Sequence, residues 1–176
     1  MKHLLTITDQ EITGSDRRSS AAPRIAVNAV LFDADNRIAL SYIGKYDLYT
    51  LPGGGVEHGE DLHAAVMREM WEETGCDCVI RGELGKIVEN RAAQDFTQER
   101  SYYIATVIGE KGGLHLTDEE IAEETTVVWH TLEQAIRLIG EKSPACYKHR
   151  FFQKRDLAAL MEAQTYLQHN IRSDPQ

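Results

Sequence analysis

Residues 53–76 read GGGVEHGEDLHAAVMREMWEETGC, three glycines that lead into a segment rich in glutamate. The pattern predicts an α-helix over residues 61–74, which Gly75 ends as the residue after the last turn. Because a helix turns ~100° per residue, Glu69, Glu72 and Glu73 fall within one arc, and Arg68 borders that arc. The apolar residues occupy the opposite half, which we expect to face the core: Leu62, Val66, Met67, Met70 and Trp71.

The three glutamates have the chemistry of a cation site. Side chains three or four positions apart on a helix have Cβ atoms ~5–6 Å apart, and like charges at that spacing mildly destabilise the helix. A cluster of carboxylate oxygens suits a hard cation such as Mg²⁺, Mn²⁺ or Ca²⁺ better than zinc. The competing interpretation is a solvated acidic helix face, since adjacent glutamates are common on protein surfaces.

The glycine run, Gly53, Gly54 and Gly55, predicts a sharp turn that a ligand can approach closely. Backbone N–H groups in such turns can form a concave anion-binding site. The alternative is an ordinary tight loop before a helix, which three glycines alone do not exclude.

The combined spacing is more specific than either part. Gly54, Glu60, the pair Arg68-Glu69, the pair Glu72-Glu73 and Gly75 stand at fixed intervals. This arrangement resembles the signature of the Nudix hydrolase family, small bacterial type, at every fixed position. Cys76 departs from the usual aliphatic residue, but cysteine packs as a small hydrophobe. The resemblance covers about residues 24–139.

The resemblance implies an α+β fold, an α/β/α sandwich with a mixed β-sheet between helices. It also implies hydrolysis of a nucleoside diphosphate linked to another group, with Mg²⁺ (or Mn²⁺) as cofactor. On the matching positions, Glu69, Glu72 and Glu73 would hold metal, and Glu60 would support the loop or a second cation. Arg68 would brace the carboxylates by ion pairing.

A general base is also needed for such a reaction. Glu69 is one candidate, and the family often uses a further glutamate from a downstream loop. The acidic run upstream of Trp129 offers four: Glu119, Glu120, Glu123 and Glu124. We favour Glu123 or Glu124, and we expect at least two of the four to be only solvated acids. Arg91 is a candidate for substrate phosphates, although a single basic residue usually just faces solvent.

The rest of the chain is consistent with one α+β domain. Alternating β-formers predict strands at 4–7, 24–32, 38–43, 78–84, 87–91, 102–108 and 126–130, and 24–32 with 38–43 reads as a hairpin. Helices are expected over about 131–139 and from Ser143-Pro144 to about His169. We divide the chain into residues 1–22, a strand and polar loop, and residues 23–176, a single catalytic domain.

Bulk properties exclude several classes of function. A formal net charge of −9 repels a nucleic-acid backbone, so long nucleic acid is not expected as a partner. No run of 18 apolar residues predicts a membrane span, and the N-terminus becomes polar by Asp9, too early for a signal peptide. Three cysteines do not form a disulfide framework, which favours a reducing cytoplasm, and either a monomer or a homodimer is expected.

Three function classes remain open. The first is an enzyme that cleaves a pyrophosphate bond in a small molecule such as a nucleotide, an oxidised nucleotide or a nucleotide sugar. The second is a non-catalytic module that senses a nucleotide through the same fold. A relative that processes RNA ends, or an isomerase, is a third. Substrate selectivity is expected in the loops at 43–49 and 91–99.

Overall fold

The structure is a computed structural model that describes residues 1–171, with side chains described for residues 1–169. Within that range the chain forms seven β-strands and five α-helices. The strands are β1 (His3–Thr8), β2 (Arg24–Phe32), β3 (Ile38–Ile43), β4 (Leu48–Thr50), β5 (Asp77–Arg91), β6 (Phe96–Ile108) and β7 (Thr125–His130). The helices are α1 (Asp9–Thr13), α2 (Leu62–Thr74), α3 (Asp118–Ala122), α4 (Leu132–Gly140) and α5 (Tyr147–Ile171). None of the described helices is both apolar and long enough to cross a membrane.

All seven strands join one mixed sheet in the order β1-β5-β6-β2-β3-β4, with β7 paired to β3. Strand β2 pairs with β6 in parallel over nine residue pairs, from Arg24 to Phe32. Its pairing with β3 is a single pair, Phe32 with Ile38. The predicted β2–β3 hairpin is therefore paired only at its turn, and farther along the same edge β2 bonds to the segment at Pro52 and Gly54.

Two predicted strands, 78–84 and 87–91, are one strand, β5. Its pairing with β6 shifts register between Ile80 and Gly82 and again between Glu83 and Gly85. Bulges of this kind bend a strand without ending it. Strand β6 begins at Phe96, so the predicted selectivity loop at 91–99 is mostly strand, with one 3₁₀ turn at Ala92–Gln94.

Helices cover both faces of the sheet, which confirms the predicted α/β/α sandwich. On one face α2 packs through Ala65, Val66 and Met70 against inward side chains of β2. On the other face α4 and α5 pack with Phe151 and Leu160 among the buried residues. The sheet thus separates the glutamate helix from the C-terminal helices.

The buried stripe of α2 is narrower than predicted. Met67 is 47% exposed and Trp71 is 44% exposed, whereas Val66 and Met70 are fully buried. The indole of Trp71 instead stacks on the ring of His115, with centroids 3.7 Å apart. A segment after β6 therefore covers part of the helix where we expected the sheet to do so.

Helix α5 begins at Tyr147, so the prediction of a start at Ser143-Pro144 was wrong by several residues. Its third turn buries Arg155 and Asp156 beneath the sheet. The Nη1 atom of Arg155 lies 2.9 Å from Oε1 of Glu89, and Nη2 of Arg91 lies 2.7 Å from Oε2 of the same carboxylate. One fully buried glutamate thus pairs with two buried arginines.

Replacing Glu89 with Gln should destabilise the fold at neutral pH by about 3–5 kcal/mol, because Arg91 and Arg155 lose their shared carboxylate. Burial raises the pKa of Glu89, but attraction to Arg155 and Arg91 outweighs it and lowers the pKa to about 2 from 4.5. A carboxyl group with a lowered folded pKa stabilises the protein above its unfolded pKa, and this contribution is lost as pH falls from 4.5 towards 2.

Urea unfolding at a series of pH values tests this expectation. The difference between wild type and Glu89→Gln should shrink as pH falls through that range, and a constant difference would contradict the assignment. Glu99→Gln removes a partly exposed ion pair with Lys86 and is the matched control. Its cost should stay below about 1 kcal/mol.

Candidate active site

The glycine loop is attached to β2 as if it were a further strand. The N–H of Val27 donates to the carbonyl of Gly54 at 2.9 Å, and the N–H of Ala29 donates to the carbonyl of Pro52 at 3.2 Å. These bonds hold the loop along the edge of β2 that β3 leaves unpaired. The backbone path of the loop is therefore set by the sheet and not by the loop alone.

At two of the three glycine positions, a side chain would clash with neighbouring atoms. Gly53 has φ of +137°, and a Cβ added there would lie 2.2 Å from the carbonyl oxygen of Val27. A Cβ on Gly54 would lie 2.5 Å from Oε1 of Glu69. Gly53 thus lets the loop reach β2, and Gly54 leaves room for a carboxylate of α2.

Hydrogen bonds fix both ends of α2. The side chain of Asp61 caps the N-terminus by accepting from the N–H groups of His63 and Ala64 at 2.9 Å each. Gly75 ends the helix with φ of +66°, and its carbonyl accepts from the N–H of Gly112 at 2.7 Å. The helix is thus fixed at one end by its cap and at the other by the segment that leads to α3.

Arg68 binds three carboxylates and the glycine loop at once. Its Nε and Nη2 donate to the two oxygens of Glu60, each at 2.9 Å, and Nη2 also donates to the carbonyl of Gly55 at 2.9 Å. Its Nη1 donates to Oε1 of Glu69 at 2.8 Å and to Oε2 of Glu72 at 3.0 Å. These bonds raise the pKa of Arg68 and lower that of Glu60.

Glu73 lies in a different environment. Its Oε2 accepts from the hydroxyl of Ser41 at 2.9 Å and from the N–H of Gly53 at 3.2 Å. Among the described residues, no basic side chain lies at ion-pair distance from it. Burial and the charges of Glu69 and Glu120 raise the pKa of Glu73 to about 8. Burial also raises the pKa of Glu69, although Arg68 opposes the effect.

One cleft of about 590 Å³ beside the glycine loop is lined by Arg68, Glu69, Glu72 and Glu73. Glu119 and Glu120 of α3 line the same cleft, with the three glutamates of α2 and Gly53–Gly55. Glu123 lines only the adjoining pocket. Glu124 stands at a turn with φ of +58°, where its carbonyl accepts from the N–H of Gly44. Glu119, Glu120 and Glu123 all line that adjoining pocket together with Glu73, but only Glu119 and Glu120 also line the cleft.

The predicted substrate-binding residues lie in two places. Gly53, Gly54 and Gly55 line the cleft, but the N–H of Gly53 points at Glu73 and not at open space. Arg91 is only 4% exposed and lines a second pocket, where its guanidinium lies 4.5 Å from the centre of the Phe96 ring. It is a buried, ion-paired residue and not the solvent-facing arginine that a lone basic residue predicts.

The cysteines are free thiols, with Cys76 and Cys78 buried and Cys146 exposed. Among the side chains that the structure describes, no three of the types His, Cys, Asp and Glu surround a common point at metal-binding distance. In this arrangement Arg68 holds Glu69 and Glu72.

Arg100 is a buried polar residue that the sequence reading missed. It is 7% exposed and lines both the second pocket and the pocket that adjoins the cleft. The available signal was period-two alternation in β6, which puts Gln98 and Arg100 on the same face as the buried Tyr102. Charged residues at such inward positions are rare unless they have a partner.

A mixed sheet between helices, with a glycine loop and an arginine-clamped glutamate helix at one edge, defines a class of α/β/α domain with an acidic cleft. The model of the NUDIX domain matches residues 22–151, most of the chain, and the chain therefore belongs to the Nudix family.

Known relatives agree with this membership. RNA pyrophosphohydrolase from Caulobacter vibrioides is 30% identical over 132 residues, covering 64% of this chain and 74% of that protein. A NUDIX hydrolase from Nitrosomonas europaea superposes with a TM-score of 0.61 at 17% identity, covering 82% of this chain and 90% of that one. The NUDIX domain of Shewanella oneidensis NrtR, complexed with ADP ribose, gives 0.59 at 20% identity, with 84% and 90% covered. At these identities the two structures show the fold alone. The chain spans less than two thirds of the length of several other curated relatives.

The steric argument for Gly53 predicts a large difference between two glycine variants. Gly53→Ala should destabilise the protein strongly, because its Cβ would meet backbone atoms of β2. Gly59 has φ of +81° with nothing within 4 Å of an added Cβ, so Gly59→Ala adds only left-handed strain. That strain costs roughly 1–2 kcal/mol.

Denaturant unfolding of both variants measures the contrast. We expect Gly53→Ala to lose about twice as much unfolding free energy as Gly59→Ala, or more. Equal losses would show that backbone conformation, and not contact with β2, explains the glycine at position 53.

Proposed function

We propose that this protein is a metal-dependent hydrolase that cleaves a pyrophosphate bond in a nucleoside-diphosphate-linked small molecule. The observation that carries the proposal is the cleft in which α2 and α3 together place five carboxylates beside the glycine loop. Glu73 has no basic partner there, and its pKa is raised mainly by burial and further by the negative charges of Glu69 and Glu120. A divalent cation would compensate that charge.

The free oxygens of the cluster suit such a cation. Arg68 uses one oxygen of Glu69 and one of Glu72, so the second oxygen of each remains available. Oε1 of Glu73 is likewise free of the bonds that Oε2 accepts. Both oxygens of Glu60 are bonded to Arg68, which favours a supporting role for Glu60 over ligation. Oxygen-only donors fit Mg²⁺ or Mn²⁺.

When held by Glu69, Glu72 and Glu73, such a cation would offset the charge of the phosphoanhydride and would supply an activated water. The chain must then supply a proton acceptor and hold it in place. We assign this role to Glu120, which lines the cleft and lies close enough to raise the pKa of both Glu69 and Glu73. Its Oε2 accepts from the N–H and hydroxyl of Thr117 at 2.7 and 2.8 Å, and these bonds leave Oε1 available.

The relatives support a pyrophosphate-containing substrate. The Caulobacter protein is named for pyrophosphate hydrolysis on RNA, and the Shewanella domain binds ADP ribose. Both ligands carry linked phosphates. The net charge of −9 disfavours a long RNA here, so a small molecule is the better candidate. The Shewanella complex also defines the alternative function, a binding module. Such a module would bind its ligand tightly without cleaving it.

Replacing Glu73 with Gln should abolish turnover and leave the fold intact, because a neutral amide is a weaker cation ligand. We expect phosphate release to fall by roughly 100-fold or more. The assay measures product masses from a panel of nucleotide pyrophosphates with Mg²⁺, with Mn²⁺ and with EDTA. Glu110→Gln, in an exposed loop, is the matched control.

The same samples yield a second readout, the thermal stabilisation by Mg²⁺, which the Glu73 variant should lose. Unchanged activity in Glu73→Gln would contradict the assignment of the α2 glutamates as cation ligands. Tight metal-dependent binding of a panel compound without any cleavage would favour the sensing module.

Replacing Glu120 with Gln should lower kcat by about 10²–10⁴-fold, the range that a general base contributes. Glutamine can keep the capping bond to Thr117, so α3 should remain folded. Glu124→Gln is the matched control, and we expect its rate to stay within about threefold of wild type. A loss in Glu124→Gln with normal activity in Glu120→Gln would move the base to the downstream position.

A further inference from the structure

A second pocket of about 630 Å³ opens beside the glycine loop and differs from the cleft in charge. Gly55 and Arg24 line both spaces. Arg100, Lys148 and Phe152 line this pocket and also the one that adjoins the cleft, where Glu73 and Glu120 stand. An elongated ligand in the cleft therefore has two short paths into a basic pocket. We name this space the Arg100 pocket.

The Arg100 pocket has an excess of buried positive charge. Arg91 and Arg100 line it and are each less than a tenth exposed, as is Arg155, which lines the adjoining pocket. Glu89 forms ion pairs with both Arg91 and Arg155. Asp156 also accepts from Nε of Arg155 at 3.1 Å. The carboxylates of this cluster are thus committed to the other two arginines.

Arg100 has only neutral partners. Its Nη2 donates to Oε1 of Gln98 at 2.9 Å, and its Nη1 donates to Oδ1 of Asn28. Burial and repulsion by Arg155 lower the pKa of Arg100 to about 10, which shows that the surroundings disfavour its charge. A buried guanidinium without a carboxylate is costly unless another anion offsets the charge.

One donor of Arg100 has no partner at all in this structure. Nε is buried, and among the described residues it is the single buried side-chain nitrogen or oxygen without a hydrogen bond. Buried polar atoms are almost always bonded, and an exception calls for a ligand, a water or an ion. A phosphate accepts well from a guanidinium, because its oxygens match the fork of N–H donors.

We propose that the Arg100 pocket binds a phosphate of the substrate that lies beyond the anhydride under attack. Resting on the proposed function, this narrows the substrate to a nucleotide with a chain of three or more phosphates and excludes a nucleotide sugar with a neutral distal group. Lys148, at the rim, adds a second positive charge for the same phosphate.

Anion binding without metal tests the pocket separately from catalysis. The probe is inorganic tripolyphosphate in EDTA, titrated by calorimetry at low salt. Wild type should bind, Arg100→Gln should bind about tenfold more weakly or worse, and Arg100→Lys should fall between them. Arg81→Gln is the control, since the Nε of Arg81 bonds to Thr106 on the exposed side of β5. A folded Arg100→Gln that binds like wild type would overturn the proposal.

Arg100→Gln could fail to fold, since Arg100 bonds to Asn28 beneath the loop. Lys148→Gln then decides the question, because Lys148 is half-buried at the rim. We expect it to weaken tripolyphosphate binding by about threefold or more, and wild-type affinity in this variant would overturn the proposal.

Steady-state kinetics distinguish a substrate phosphate from a free phosphate bound as an effector. Diadenosine diphosphate and diadenosine tetraphosphate differ only in the number of phosphates. Arg100→Gln should raise KM for the tetraphosphate by about tenfold with little change in kcat, and should leave KM for the diphosphate nearly unchanged. Equal effects on both substrates would refute a distal-phosphate role. If neither compound nor any other panel member is cleaved, the proposed function fails, and calorimetry alone still decides on the pocket.

Discussion

The ion pairs of Arg68 are the interaction on which the site depends. Three glutamates within one helical turn of each other, next to a fourth in the preceding loop, would repel one another if nothing stood between them. One guanidinium meets this constraint by bonding to Glu60, Glu69 and Glu72 and to the carbonyl of Gly55. It is planar and presents five donors in a fixed fork, which a lysine cannot reproduce. The loop and the helix therefore become one rigid unit before any cation arrives.

The parts of this unit that could be predicted from sequence are those that depend on short-range geometry. The helical period places Glu69, Glu72 and Glu73 on one arc, and Gly75 marks the C-terminal end of the helix. The family signature added the roles that spacing alone left open. The positions of Glu119 and Glu120 could not be predicted in this way, because α3 is only five residues long and reaches the cleft through the contact of Gly112 with Gly75.

The same division holds for the fold. Nearly every strand was predicted within a few residues, since alternation and turn residues are local signals. The pairing partners of the strands were not predicted. Strand β2 pairs along its length with β6, and its hairpin with β3 is one residue pair long. The two bulges of β5 likewise depend on its neighbour, so the sequence suggested two strands. Trp71 is a similar case, because its exposure reflects the stack on His115 and not the helical period.

The acidic cleft and the basic Arg100 pocket lie on either side of the glycine loop, and β2 connects them. Asn28 donates to the carbonyls of Leu51 and Pro52 at 2.7 and 3.0 Å and accepts from Arg100. One buried amide therefore fixes both the start of the glycine loop and the guanidinium of the basic pocket. A neutral ligand would gain little from such a layout, and a short anion could reach only one end of it. The proposed substrate, a chain of linked phosphates, would use both, with cation-compensated carboxylates at the scissile end and Arg100 at the other.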